Sequence, residues 1–334
     1  MKVVFQGLLG IAFGVLLLWM ALSGIDGAAI SAALAQANIG YLLAGIGLFW
    51  IGVLFRILRW QALLTPVRML TFWQVGLALV IGYAVNIILP ARLGELFRAD
   101  FLRRRFEVAR SAALGSIIIE RLLDAVVVGG LFAIGLLAAA NRQFDPALIT
   151  VAYGAAAAIV IGCLGVCMIV FFEHRLPFGR FPRLAARVSV MAQTLAIVRG
   201  PIVIRCALVT LLVWSAESLA ILMMVWAFGV AVSLSGLCLI VGAASLSTML
   251  PSAPGYIGSL QFAFILTYSA LKFDAVHGVL SATATQVMLM GSIACVGIGL
   301  LLIDNARAPA RHLRATFRAS HASRVKTPAT EVRG

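Results

Sequence analysis

Residues 70–98 read LTFWQVGLALVIGYAVNIILPARLGELFR, and the fold turns on whether this stretch crosses a membrane or folds back. Its first part, about 70–90, is apolar enough to cross a hydrocarbon core of about 30 Å. It carries its own breakers, with Gly76 and Gly82 inside and Asn86 and Pro90 near the end. It then runs into Arg92, Glu95 and Arg98, followed by Arg103, Arg104, Arg105 and Arg110.

The surrounding chain supplies the solvent for that question. Of 334 residues, 63% are hydrophobic and 11% charged, against roughly half and a quarter in a soluble domain. Such a chain cannot cover a globule with polar groups, so it is a polytopic, all-α membrane protein. This excludes a secreted disulfide scaffold, a disordered chain and a soluble DNA-binding protein, despite the net charge of +14. The basic residues flank apolar segments, as topology signals do, so no nucleic-acid partner is expected. The five cysteines lie in or beside apolar runs without a C-x-x-C pair or a His at ligand spacing, and no metal site is expected.

Nine apolar segments are legible, at about 5–22, 39–58, 70–90, 111–139, 148–172, 203–228, 233–250, 256–271 and 278–303. The first is longer than a cleavable leader and is expected to stay as an anchor. Cytoplasmic loops collect Lys and Arg. Loop 23–38 has only Asp26 and should be external, whereas Arg56, Arg59 and Arg68 follow the second span and should be internal. If 70–90 then crossed fully, the most basic stretch of the chain would lie outside. A hairpin that enters from the cytoplasm and turns back resolves the conflict. Its non-helical backbone at membrane depth is tolerable only where protein or a watery cavity receives it, so a re-entrant element implies a cavity.

The same reasoning makes 233–271 a second hairpin, rooted outside and broken at Pro251, Pro254 and Gly255. The expected architecture is about six full spans plus two re-entrant hairpins, with a helical domain at 1–305. A basic cytoplasmic tail, expected to be disordered, follows at 306–334. Both termini are then cytoplasmic. Under this topology 23 of the 26 Lys and Arg are cytoplasmic, two are external and Arg121 alone is intramembrane. Leu89-Pro90 to Gly94 and Leu250-Pro251 to Gly255 share a Leu-Pro-x3-Gly turn at an offset of 161 residues. That offset suggests an inverted repeat of the kind that places broken elements around a midplane site. Chance matching in so apolar a chain is the competing explanation.

Ionisable groups inside spans cost about 2.5–3.5 kcal/mol each and are read as functional candidates. Glu120 and Asp124 share a helix face, and Arg121 is placed to pair with Asp124. This set either neutralises itself or forms a polar site for a headgroup or a proton. Glu217 has no base within a helical turn and needs a partner from another helix, with Arg56 and Arg121 as candidates. Arg92, Glu95 and Arg98 lie on one side of a helix start. There Glu95 either bridges two arginines or the group forms a phosphate-binding mouth at the cytoplasmic leaflet. Arg103, Arg104 and Arg105 are expected to touch anionic lipid.

Three motifs together resemble one family: Pro90-x-Arg92-x-Gly94-Glu95-x2-Arg98, Glu120-Arg121-x2-Asp124, and Pro251-x2-Pro254-Gly255-x2-Gly258. They look like those of the lysylphosphatidylglycerol synthase transmembrane-region family, also described as flippase-like integral membrane proteins of the bacterial inner membrane. The resemblance implies translocation of a lipid or lipid-linked headgroup. Full synthases carry a soluble aminoacyl-transferase domain that this chain replaces with its basic tail, so it is not expected to make lysylphosphatidylglycerol. The family often has Glu after the Pro-Gly turn, where this chain has Gln261.

The leading expectation is therefore a non-enzymatic, flippase-like protein without a cofactor. Membrane lipids would be its partners, their anionic headgroups met at the cytoplasmic leaflet. The headgroup or proton would be handled by Arg92, Glu95, Arg98, Glu120, Arg121, Asp124 and Glu217, with Asn86, Gly94 and Gly258 shaping the hairpin turns. No Gly-x4-Gly-Lys-Ser/Thr loop is present to drive it with ATP. The alternatives are an integral lipid-modifying transferase and a non-catalytic membrane partner of a lipid-processing enzyme such as a cytoplasmic glycosyltransferase.

Overall fold

The computed structural model describes residues 15–16, 18–20, 27–88, 93–138, 150, 154, 201–248 and 254–306. Most of segment 5–22, nearly all of 148–172, the 306–334 tail beyond Ala306, and Pro90, Arg92 and Pro251 lie outside the described residues. Within them the regular structure is entirely helical.

A short helix, α1 (Gly27–Ala35), occupies part of the expected external loop. The Asn38 side chain then caps α2 (Ile39–Leu64) by accepting from the Tyr41 N–H. α2 stops before Pro66, which has no N–H to continue the ladder. α3 (Phe72–Ile88), α4 (Leu93–Phe106) and α5 (Arg110–Ala138) follow, then α6 (Pro201–Trp226) and α7 (Leu234–Ser247). After a turn at Pro254–Tyr256 come α8 (Ser259–Leu271) and a last long helix, α9 (Ala275–Ala306).

Three of these helices, α2, α6 and α9, are long and apolar enough to cross a membrane, at 26, 26 and 32 residues. At 1.5 Å per residue they reach about 39–48 Å. α5 has 29 residues but carries Glu120, Arg121 and Asp124 at its middle. α3 and α7 are apolar yet have only 17 and 14 residues. They reach about 26 and 21 Å, short of a hydrocarbon core of about 30 Å.

Small residues let the long helices close up, as they must where lipid offers no competing hydrophobic drive. α2 and α6 pack antiparallel: Gly45 lies against Met224 and Ala220, and Gly52 against Ala216. The Asn38 N–H donates to the Ala227 carbonyl at 2.8 Å, which puts the start of α2 beside the end of α6. α5 and α7 are also antiparallel. A Cβ on Gly135 would come within 2.6 Å of Leu239, and one on Gly242 within 2.6 Å of Phe132.

α3 and α4 form a helical hairpin. Gly82 faces Gly94 and the Arg98 side chain at close range, and Asn86 Oδ1 accepts the Gly94 N–H at 2.7 Å. The far end of α4 returns to where α3 began, because Arg68 pairs with Glu107 at 3.1 Å. α7 and α8 form a second hairpin, with the Leu271 side chain back beside Gly236. Its turn holds Gly255 and Gly258 at φ +69° and +86°, a region open to glycine without penalty. The Gly258 N–H is held by Gln261 Oε1 at 2.9 Å. The roots of the two hairpins lie at opposite ends of α2, one beyond Leu64 and the other beyond Trp226. Their tips meet, since Gly255 lies against Ile87. α9 runs the length of the bundle. Gly297 packs on Val80 and Ala84 of α3, and Asp304 pairs with Arg105 at 2.5 Å near the first root.

Two expectations from the sequence change here. Arg56 and Arg59 do not follow the second span. They lie inside α2, which continues to Leu64, and Arg59 is fully buried. Arg98 is likewise fully buried rather than cytoplasmic.

Two outcomes test this packing. Arg68→Cys and Arg103→Cys, each in otherwise cysteine-free protein, should react with an impermeant maleimide from one and the same face, expected to be cytoplasmic; opposite sidedness contradicts the first hairpin. Gly242→Leu should overpack the α5–α7 contact at a cost of about 1–3 kcal/mol, visible as a lower unfolding temperature in detergent, and an unchanged temperature contradicts that contact.

Candidate functional site

The middle of α5 presents Glu120, Arg121 and Asp124 toward α2, α3, α4 and α6, and two layers of charge assemble around them. The deep layer is sealed. Arg59 makes a bidentate pair with Asp124, Nη1 to Oδ1 at 2.6 Å and Nη2 to Oδ2 at 3.1 Å. Its Nη1 also donates to Thr210 Oγ1 at 2.9 Å, and Trp214 Nε1 donates to Asp124 Oδ1 at 3.0 Å. Arg98 clasps Glu120 through both nitrogens, at 3.3 and 3.0 Å, with its guanidinium 3.8 Å over the Trp60 ring. Trp60 Nε1 donates in turn to Ser116 Oγ at 3.0 Å. Arg59, Arg98 and Glu120 have no exposed side-chain surface. Burying such groups is tolerable only where opposite charges meet in bidentate contact.

The second layer faces a cavity of about 180 Å³. Its walls include Arg56, Tyr83, Glu95, Arg121, Asp124 and Glu217, with Asn86 and Tyr256 from the two hairpins. Arg121 Nη2 donates to Glu120 Oε1 at 2.5 Å and lies 3.5 Å from Asp124, while its Nε is 3.7 Å from Glu95. Arg56 Nη2 sits 2.8 Å from Glu217 Oε2. Four guanidiniums (Arg56, Arg59, Arg98, Arg121) face four carboxylates (Glu95, Glu120, Asp124, Glu217), so the network is formally neutral. Among the described residues, Arg121 Nε and Glu217 Oε2 are buried polar atoms of the cavity wall that make no hydrogen bond.

Of the residues singled out in the sequence, Glu95, Arg98, Glu120, Arg121, Asp124 and Glu217 are gathered into this network, while Arg92 lies outside the described residues. Asn86, Gly94, Pro254, Gly255 and Gly258 form the hairpin tips. The pairings differ in detail from those expected. Asp124 is held chiefly by Arg59, with Arg121 a more distant neighbour, and Arg98 turns inward to Glu120 instead of bridging to Glu95. Glu217 takes Arg56, one of its two expected partners. Arg104 and Arg110 hydrogen-bond Asp100, and Arg105 joins Asp304, so the basic run is tied to protein. The Arg110 hydrogen bond, with help from Arg104 against some desolvation, holds the Asp100 carboxyl below the usual aspartate range.

Sequence reasoning missed Arg59, Trp60, Tyr83, Thr210 and Trp214. The available signal was the stretch Trp60-Gln-Ala-Leu-Leu64 beyond Arg59, apolar but for Gln61, which carries α2 a turn and a half further and draws both arginines into it. The second hairpin holds a further polar chain. Gln261 Nε2 donates to Gln286 Oε1 at 2.8 Å, and Gln286 Nε2 donates to the Gly255 carbonyl at 2.5 Å. Gln286 lies in a π-helical turn of α9, Thr285–Met290, a local widening often found at functional sites. Among the described residues no three His, Cys, Asp or Glu are grouped to hold a metal ion.

The model of the lysylphosphatidylglycerol synthase TM region matches residues 7–303. The chain is also similar to "Glycosyltransferase AglD" of Haloferax volcanii, at 24% identity over 267 residues. That match covers 68% of this chain and 43% of the archaeal protein, so the chain spans less than half of that relative's length. No solved structure matches.

Breaking the deep layer should be costly. Arg59→Met strands Asp124 and should destabilise by about 3–5 kcal/mol. The double variant Arg59→Met/Asp124→Leu should regain more than half of that. Thermal unfolding in detergent reads both, and a double variant no more stable than the single one contradicts the pairing.

Proposed function

Because the chain belongs to the lysylphosphatidylglycerol synthase TM region family, we propose that it is a flippase-like carrier that passes a lipid headgroup across the bilayer between its two hairpins. The observation that carries this reading is the charged cavity. Polar groups from α2, α4, α5 and α6 converge where lipid could not host them, and the hairpin tips close over them. The headgroup is handled by the cavity-facing Arg56, Glu95, Arg121 and Glu217, with Arg92 proposed at the mouth. The deep pairs Arg59–Asp124 and Arg98–Glu120 act as the fixed floor, and the acyl or isoprenoid tails stay in lipid. Glu217 is the candidate proton site if transport is ion-coupled, because Asp124 is already locked by Arg59 and Trp214.

The order of elements supports an inverted repeat as the frame. Ile39 and Pro201, Phe72 and Leu234, Leu93 and Ser259, and Arg110 and Ala275 start corresponding helices, at offsets of 162 to 166 residues. The paired long helices α2 and α6 run antiparallel, as inverted halves must. We place the protein in a bacterial inner membrane, with the Arg68 end of the bundle, the amino terminus and the basic tail on the cytoplasmic side.

A second reading follows from the archaeal relative, which is named as a glycosyltransferase. On that reading the chain is a membrane partner of an enzyme that builds on a lipid carrier, and its cavity receives the carrier's phosphate.

Reconstitution separates the readings. Pure protein in liposomes should invert acyl-labelled phospholipid, read as protection from dithionite, and Arg121→Gln should slow it by about tenfold or more, since one lost charge-assisted contact is worth about 1.5–3 kcal/mol. No inversion by the wild-type protein overturns the carrier reading. Activity that requires a co-purified glycosyltransferase supports the second.

A further inference from the structure

Resting on the carrier reading, we propose that the cavity selects a phosphate–ammonium zwitterion, taking it by an exchange of ion-pair partners with Arg56 and Glu217. Of the charged groups that line the cavity, Arg56 and Arg121 stand against Glu95, Asp124 and Glu217, and since Arg59 beneath matches Asp124 and Arg98 matches Glu120, chamber and floor together are neutral. A headgroup of net charge would therefore enter an already balanced chamber and leave one ion without a partner.

The position of Arg56 shows what a balanced guest would do. Its guanidinium lies 5.8 Å from the Tyr83 ring centroid, 5.9 Å from that of Trp214 and 2.8 Å from Glu217. Two aromatic faces and a carboxylate make a site for a cation, and Arg56 fills it as a tethered stand-in. Opposite it, Arg121 is the guanidinium most open to the cavity, about one-third exposed, and its Nε makes no hydrogen bond. Glu217 Oε2 has Arg56 Nη2 at 2.8 Å as an ion-pair partner but outside hydrogen-bond geometry. An ammonium that takes the place beside Glu217 releases Arg56, and the phosphate of the same headgroup receives Arg56 together with Arg121. Every charge keeps a partner at the end of the exchange. A lone phosphate would draw Arg56 away and leave Glu217 bare; a lone ammonium would leave Arg56 bare.

At about 180 Å³ the chamber is below the range of about 300–1,000 Å³ of pockets that enclose a whole ligand of drug size. It suits a compact headgroup whose tails remain outside.

The test uses the full-length protein in vesicles of equal phosphatidylcholine and phosphatidylglycerol, with a trace of acyl-labelled phosphatidylethanolamine or acyl-labelled phosphatidylglycerol. The wild-type protein should invert phosphatidylethanolamine about tenfold faster or more, the ratio expected when one buried ion pair is kept or lost. Glu217→Gln leaves the chamber one positive charge in excess and should reverse the order. Inversion of both lipids at equal rates, or a variant that slows both by the same factor, overturns the selectivity. Should the variant fail to fold, competition on the wild-type protein decides. Soluble glycerophosphoethanolamine should slow inversion and glycerophosphoglycerol should not, and equal inhibition overturns the proposal. If the wild-type protein inverts neither lipid, the carrier reading itself fails; movement without preference sinks the selectivity alone.

Discussion

The pairing of Arg59 with Asp124, repeated one helical turn away by Arg98 with Glu120, is the constraint that the rest of the bundle accommodates. Eight ionisable side chains converge at its centre. At about 2.5–3.5 kcal/mol each on insertion scales, they would cost about 20–28 kcal/mol if they stood alone. That exceeds the whole stability of an ordinary domain, about 5–15 kcal/mol. The chain can keep them only by bringing opposite charges from α2, α4 and α5 into bidentate contact, with Thr210 and Trp214 of α6 adding one hydrogen bond each to Arg59 and Asp124. The glycine contacts then read as consequences. Gly82 and Gly94 let α4 come close enough to α3 for Arg98 to point inward.

A buried network of this kind gains little net stability, and replacing such groups by apolar ones is often neutral or favourable. Its retention is better explained by what it surrounds. The deep pairs fix the floor of a chamber whose upper groups are only partly paired, and two hairpins rooted at opposite ends of α2 meet above it. Fully paired below and only partly paired above, this arrangement suits the proposed passage of a polar group. The π-helical turn at Thr285–Met290 and its Gln286 contact to Gly255 tie the second tip to α9.

The helical membrane class was legible from composition, and the apolar run beginning at Ile39 marked the start of α2, whereas its end at Leu64 lay beyond the expected limit of 58. Charge counting also pointed to a chain that turns back after Asn86, because six arginines crowd its return. What the sequence hid was which charges belong to the interior. Arg59 and Arg98 look like loop residues because each sits beside other basic groups, and charge counting assigns such groups to water. Only the helices that run on past them, and the carboxylates waiting on α5, pull them inside. Pairings across 65 or 22 residues leave no local trace, so Asp124 looked best served by Arg121 three residues earlier. Glu217 was easier, since its helix offered no partner and α2 offered one.

The claim that a headgroup passes between two apposed hairpin tips is tested most directly by joining them. In cysteine-free protein, Ile87→Cys with Gly255→Cys should form a disulfide under mild oxidation, stop lipid inversion in liposomes, and restore it on reduction. Failure to cross-link, or inversion at full rate with the tips joined, would contradict the account.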